Sequence, residues 1–221
     1  VFRDKQVRHI PLLFLCLLLQ ACTPTQQGIS ETVKLAFTGP DDITVPDERV
    51  QSIPYASMYL RIDNGQRIFV VLGYDEGGQL KWVTQDQAML ATRNGRIVRT
   101  LGLADNLVDL NNLQQDPLAK GLSLSNGDSW TRTMIWTENQ QLRSGTAVSR
   151  FVREPDQVLE LAGRQIPCRV FREEVSIDAL GKSWENLFWL DTSTGQVRQA
   201  QQMVGADYIP VETTILKPAK S

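Results

Sequence analysis

From Tyr55 onward the chain runs in short alternations of apolar and polar residues broken by turn formers. Within Ser57–Asp63, Met58, Leu60 and Ile62 fall on one face of an extended segment. Asn64-Gly65 follows and predicts a tight hairpin turn with positive φ angles. Gln66–Gly73 carries Ile68 through Leu72, apolar on both faces, which predicts a strand with a neighbour on each side. Glu76-Gly77-Gly78 turns the chain into Leu80–Thr84, and Ala88–Arg93 meets Asn94-Gly95 and returns as Arg96–Leu101. This is the pattern of a five-strand meander. Asp105–Leu122 is less regular and predicts a long connection with at most one helical turn. Beyond Asn126-Gly127 a second series is expected over Ser129–Thr137, Arg143–Arg153, Val158–Ala162, Gln165–Val175, Trp184–Asp191, Gln196–Met203 and Tyr208–Lys217. Ser193-Thr194-Gly195 reads as a hairpin turn within it. Helical signals are confined to Ser30–Phe37, with Ser30 as N-cap, and Pro46–Ser52, opened by proline. The pattern predicts a mainly β fold, an antiparallel sandwich or strongly curved half-barrel of about 10–12 strands with one or two short N-terminal helices.

The first residues follow a different rule. Arg3, Lys5 and Arg8 stand against Asp4, and Ile10–Leu19 then carries no charge. That suits the apolar stretch of a signal peptide and is too short to span about 30 Å of hydrocarbon as a helix. Leu19-Gln20-Ala21-Cys22 resembles the bacterial lipobox, in which the cysteine receives a diacylglyceryl group and, after cleavage, an N-acyl chain. Gln20 departs from the small or β-branched residue usual at its place. The expected organisation is a removed signal peptide over 1–21, a lipidated tether with a short helical segment over 22–52, and one β-rich domain over 53–221. Several acyl chains on Cys22 anchor a protein stably where one would not. Thr23, where aspartate would favour the inner membrane, favours sorting to the outer membrane by likeness to enterobacterial lipoproteins.

That leader changes the available chemistry. The only histidine is His9, so the matured chain has none, and its one unmodified thiol is Cys168. Histidine-based triads and metal sites are thereby excluded. Cys168 alternates with Ile166 and Val170 and reads as a small core residue. Removing 1–21 takes three basic residues and one acid from totals of 23 and 25, leaving a net charge of −4. A mildly acidic chain is not a nucleic-acid binder. Gly73–Gly78 lacks the lysine and hydroxyl pair of a phosphate loop. Neither a cofactor nor a metal is expected. The enzymatic alternative is a carboxylate pair acting on a glycosidic bond, with Asp86, Glu173, Glu174, Glu185 and Asp191 as candidates. Acidic residues are common on solvated strand faces, and the pattern does not make any two converge. Aromatics offer another route. Trp82, Trp130 and Trp136, with Arg132 between the last two, are candidates for glycan or partner contact if exposed, and for core packing with a cation–π stack if not. Trp184 and Trp189 lie on opposite faces of a strand that is partly apolar on both, which predicts a central position.

A set of segments in order carries a family likeness: Ile53–Ser57, Phe69–Leu72, Lys81–Asp86, Asn94–Val98, Asp105–Leu107, Ser129–Thr133 and Phe188–Asp191. With the lipobox, the chain resembles the YjbF/GfcB family of group 4 capsule polysaccharide lipoproteins over nearly its whole mature length. The resemblance implies an outer-membrane lipoprotein facing the periplasm, without established catalytic residues, serving exopolysaccharide or capsule production and export. It also implies partners, namely an outer-membrane β-barrel and a periplasmic export protein, with polysaccharide as a further candidate. The expected mode of action is non-enzymatic binding of a partner protein, with direct glycan binding as the alternative.

Overall fold

The computed structural model describes residues 42–207 and 209–219. The expectations for Cys22, the signal peptide and the Ser30–Phe37 helix fall outside these residues. The compact unit begins at Asp42. Its first element is helix α1 (Asp47–Ser52), with Asp47 and Glu48 in the first turn, where acids favour the helix dipole, and Val50 buried. Tyr59 Oη accepts from Val45 N at 2.7 Å and ties this segment to the sheet.

Twelve strands follow: β1 (Ser57–Ile62), β2 (Ile68–Glu76), β3 (Gln79–Val83), β4 (Met89–Arg93), β5 (Arg96–Leu101), β6 (Leu107–Leu110), β7 (Ser129–Glu138), β8 (Gln141–Leu161), β9 (Arg164–Ile177), β10 (Lys182–Asp191), β11 (Val197–Val204) and β12 (Ile209–Lys217). They form one antiparallel sheet in the order β5-β4-β3-β2-β1-β12-β11-β10-β9-β8-β7-β6. The first and last strands pair at its centre, and strands from the middle of the chain, β5 and β6, are its two edges. Laid flat, these edges would be roughly 50 Å apart at normal strand spacing. The connection 102–106 between them spans at most roughly 20 Å when fully extended. The sheet therefore has to roll, and it forms a nearly closed, barrel-like structure.

The rolled edges are joined by side chains instead of a backbone ladder. Thr100 Oγ1 accepts from Leu107 N at 2.9 Å, and Arg99 Nε donates to Val108 O at 3.0 Å. Gln202, on β11, reaches across the interior, accepting from Ile97 N at 3.1 Å and donating to Gly95 O at 2.9 Å. Ile97 N of β5 and Leu107 N and Val108 O of β6, groups of the kind an edge strand offers to another chain, are thus engaged internally.

Three expectations are corrected. Val158–Ala162 is not a separate strand: β8 runs through from Gln141 to Leu161, with a bulge between Glu154 and Gln157. Pro155 lies in that bulge, where its missing N–H costs no ladder bond, and extra residues bend a strand without ending it. The connection after Asp105 contains β6, which is short enough to leave little periodic signal. Asn64-Gly65 does not make a two-residue turn. The positive φ falls on Asp63, and β1 and β2 are joined by the longer segment 63–67. Asn94-Gly95 behaves as expected, with φ of 51° and 83°.

Most of the core fills the concave side, with Trp82, Trp136, Phe151, Phe171 and Phe188 essentially inaccessible. A separate cluster lies on the opposite face, where Ile166, Cys168, Val170 and Trp189 pack with Leu161 at the tip of the β8–β9 hairpin. The Cys168 thiol is buried there, and burial pushes its pKa up to about 11. That is the behaviour of a packing residue, not of a nucleophile.

Candidate functional site

At one mouth of the rolled sheet lies a cavity of about 340 Å3. Its walls are the β4–β5 turn at Asn94-Gly95, the segment Leu118–Gly121 and the β10–β11 turn at Thr194–Gln196. Leu80, Trp82 and Thr92 line it from β3 and β4, and Ile215 from β12. Glycines let these loops touch. A Cβ on Gly95 would fall 2.3 Å from Val197 Cβ, and one on Gly195 would fall 2.8 Å from Leu122 N. Both have positive φ, which suits glycine. Among the described residues, the lining side chains include no acid and no base.

The charged residues that hold these walls sit just behind them. Arg96, next to Gly95, points into the core and binds two carboxylates. Its Nε and Nη2 donate to Asp116 at 2.5 and 3.1 Å, and Nη1 and Nη2 donate to Glu173 at 2.9 and 3.2 Å. Asp116 Oδ1 also accepts from Leu118 N at 3.1 Å, capping the 3₁₀ segment Pro117–Ser123 that forms a cavity wall. Glu173, on β9, further accepts from Asn186 Nδ2 at 2.8 Å and lies 3.5 Å from Arg132 Nη1. Arg132 donates to Ser149 Oγ at 3.1 Å. Both guanidiniums stand over the Trp130 ring, Arg96 at 4.6 Å and Arg132 at 4.4 Å from its centroid. Two cations and two anions leave the buried set neutral, the condition under which such charges are tolerated away from water. Burial alone would raise the Glu173 pKa, but the two guanidiniums outweigh it and hold the carboxyl down at about 2. Burial lowers Arg132 to about 10, still charged at neutral pH. For Arg96 the two carboxylates outweigh burial and drive the pKa upward.

The contact residues expected from sequence are therefore placed differently. Trp82, Trp130, Arg132 and Trp136 are at most 3% exposed, so they do not form an exposed contact surface, and that expectation is corrected. Alternation along β3 and β7 turns all four inward, where large apolar area is stabilised most. Trp82 Nε1 donates to Thr92 Oγ1 at 2.9 Å, and Trp130 Nε1 to Asn112 O at 3.0 Å. The five candidate carboxylates lie in four different settings. Glu173 is in the buried network. Asp86 takes a hydrogen bond from Thr84 Oγ1 in the β3–β4 turn. Asp191 accepts from Ser193 N at 2.8 Å and braces the β10–β11 turn. Glu174 and Glu185 are cross-strand neighbours on the convex face, both accepting from Arg172 Nη1, at 2.5 and 2.7 Å. Arg96 and Asp116 escaped the sequence reading. A charged residue in phase with the inward-facing Val98 and Thr100 was the available signal, since such a residue must find a partner.

The convex face carries a second feature. Register pairs Thr131 with Val148, Thr133 with Thr146, Ile135 with Ser144, and Thr137 with Leu142. These eight outward residues of β7 and β8 bear no charge, Leu142 and Val148 are 68% and 48% exposed, and the run ends at the next pair, Ser129 with the exposed Arg150.

Residues 30–216 match the family model described as group 4 capsule polysaccharide lipoprotein gfcB, YjbF. The chain belongs to the YjbF/GfcB family. It is 46% identical to the lipoprotein GfcB of Escherichia coli (strain K12) over 213 residues, covering 96% of this chain and all of that one. It is also 46% identical to the lipoprotein YjbF of the same strain over 209 residues, covering 95% of this chain and 97% of that one. Among solved structures it is similar to the hypothetical lipoprotein YmcC from Escherichia coli (K12), at 49% identity and a TM-score of 0.77, covering 80% of this chain and 91% of that one. The mainly β, antiparallel fold expected from the alternation of apolar and polar residues is the one observed.

Proposed function

We propose that this protein is an accessory factor in capsule or exopolysaccharide production or export. Acyl chains on Cys22 hold it to the periplasmic face of the outer membrane, and it acts without turnover by binding a partner protein of the export apparatus. Family membership supports the link to capsule polysaccharide. The observation that supports the binding mode is the uncharged stretch of the convex face of β7 and β8 from Thr137–Leu142 to Thr131–Val148, bounded by Arg150, with Leu142 and Val148 exposed. Exposed apolar surface without charge marks contact with another uncharged surface more than with ions. Acylation confines the protein to two dimensions and raises its effective concentration near a partner in the same membrane.

Purification of the full-length lipoprotein from detergent extracts, followed by mass spectrometry, tests this reading. An outer-membrane β-barrel or periplasmic export protein should accompany the wild type and be lost with Leu142→Glu/Val148→Glu. Equal recovery with both would contradict it. Cys22→Ala should release the protein from membranes, and a fully membrane-bound and active variant would contradict the anchor.

A further inference from the structure

We infer that the mouth cavity is a binding site for a neutral saccharide unit. The inference rests on the proposed role in capsule polysaccharide but adds a direct contact with sugar, at a site distinct from the convex face. Three properties of the cavity select the ligand. First, among the described residues no acid or base lines it, so none of them would neutralise a phosphate, a uronate or a cation. Second, its lining mixes apolar surface with groups that both donate and accept. Leu80, Val197 and Ile215 supply the former, and the Asn94 and Gln196 amides and the Thr194 hydroxyl the latter. A sugar ring has the matching pattern, C–H faces bordered by hydroxyls that each donate and accept, whereas an acyl chain would strip water from these amides without replacing its hydrogen bonds. Third, the cavity is at the small end of the range for ligand sites, about 300–1,000 Å3, and opens at the mouth of a barrel-like sheet, where such sites recur. Its walls are also pre-positioned. The Arg96–Asp116 pair fixes the β4–β5 turn against Leu118–Gly121, and Asp191 fixes the β10–β11 turn, so little ordering remains to be done on binding.

The test is a two-dimensional amide NMR titration of the chain from residue 22 with Cys22→Ala, which removes acylation, with lactose, cellobiose and N,N′-diacetylchitobiose. Sodium decanoate, glucuronate and a neutral tripeptide amide serve as counter-probes. At least one disaccharide should shift the amides of Gly95, Gly121 and Gly195 and the Trp82 indole N–H. Ala119→Trp places a ring in the cavity from an exposed position and should weaken that response about tenfold or more, leaving resonances elsewhere unchanged. Gln196→Ala, which removes one rim amide, should weaken it less. Shifts confined to other regions, shifts with decanoate or tripeptide alone, no response to any of the three sugars, or full binding by Ala119→Trp would each overturn the inference. Partner capture by full-length Ala119→Trp should equal that of wild type. Loss of sugar binding with capture intact therefore counts against this site alone, and loss of capture in the convex-face variant with sugar binding intact bears on the partner interface alone.

Discussion

Glu173 is the residue on which the interior chemistry turns. It is fully buried, yet two arginines and an asparagine keep it ionised. Removing its charge leaves Arg96 and Arg132 sharing Asp116 alone, and breaking a buried pair from one side costs about 3–5 kcal/mol. Glu173→Gln should lower the unfolding free energy by that order in urea titrations, and a change below about 1 kcal/mol would contradict the network's role. The pH dependence has a definite sign. Folding depresses the Glu173 pKa from 4.5 to about 2, so its contribution is complete above about pH 4.5 and is lost as pH falls toward 2. Wild-type stability should fall through that window more steeply than that of Glu173→Gln. Asn94-Gly95 and Asn64-Gly65 show how far a local signal reaches. Both dipeptides favour a tight turn, but only the first lies between strands whose ends meet in a two-residue register, Arg93 opposite Arg96. In the second, Arg61 and Arg67 are drawn to Asp42 of the preceding segment and the connection lengthens, which nothing local encodes.

At the scale of elements, the edge strands explain why the sheet rolls and stays closed. Gln202 satisfies the buried Ile97 N–H of β5 and the part-buried Gly95 carbonyl of the β4–β5 turn, and truncating it leaves the buried donor without its partner, at about 1–3 kcal/mol. Gln202→Ala should speed hydrogen exchange at the Ile97 amide well above that at Leu60 in the central strand β1. Equal protection at Ile97 in both proteins would contradict closure through this side chain. Two glycines separate crowding from backbone strain. Gly77→Ala has open space and should cost only the left-handed conformation, about 1–2 kcal/mol, while Gly95→Ala adds a collision with Val197 and should cost clearly more in the same denaturation assay. Alternation in Ser57–Asp63, Gln66–Gly73 and Arg96–Leu101 made the first meander legible, because each strand has one period and a turn at its end. The long β8 was not, since its bulge and Pro155 imitate a strand end locally while pairing with β9 continues on both sides. The cavity was illegible for a different reason. It is made where turns remote in sequence converge, and its residues are unremarkable until the sheet rolls.

For the molecule as a whole, inward and outward faces divide the work. The concave side uses Trp82, Trp130, Trp136 and the buried charges to hold one shape, and the convex side presents the uncharged stretch of β7 and β8 between Leu142 and Val148. Because Leu142 and Val148 are largely exposed, their replacement by glutamate should change stability by no more than about 0.5 kcal/mol while abolishing partner capture, which separates binding from folding. The most direct measurement is site-specific photocrosslinking in intact cells, with the photoreactive residue at position 148 and, as a control, at Glu212 on the convex face of β12. A cross-link from position 148 to a protein of the polysaccharide-export apparatus, absent from position 212, is the predicted result. Equal labelling at both positions, or none at position 148 in cells that make capsule, would contradict partner binding through this face.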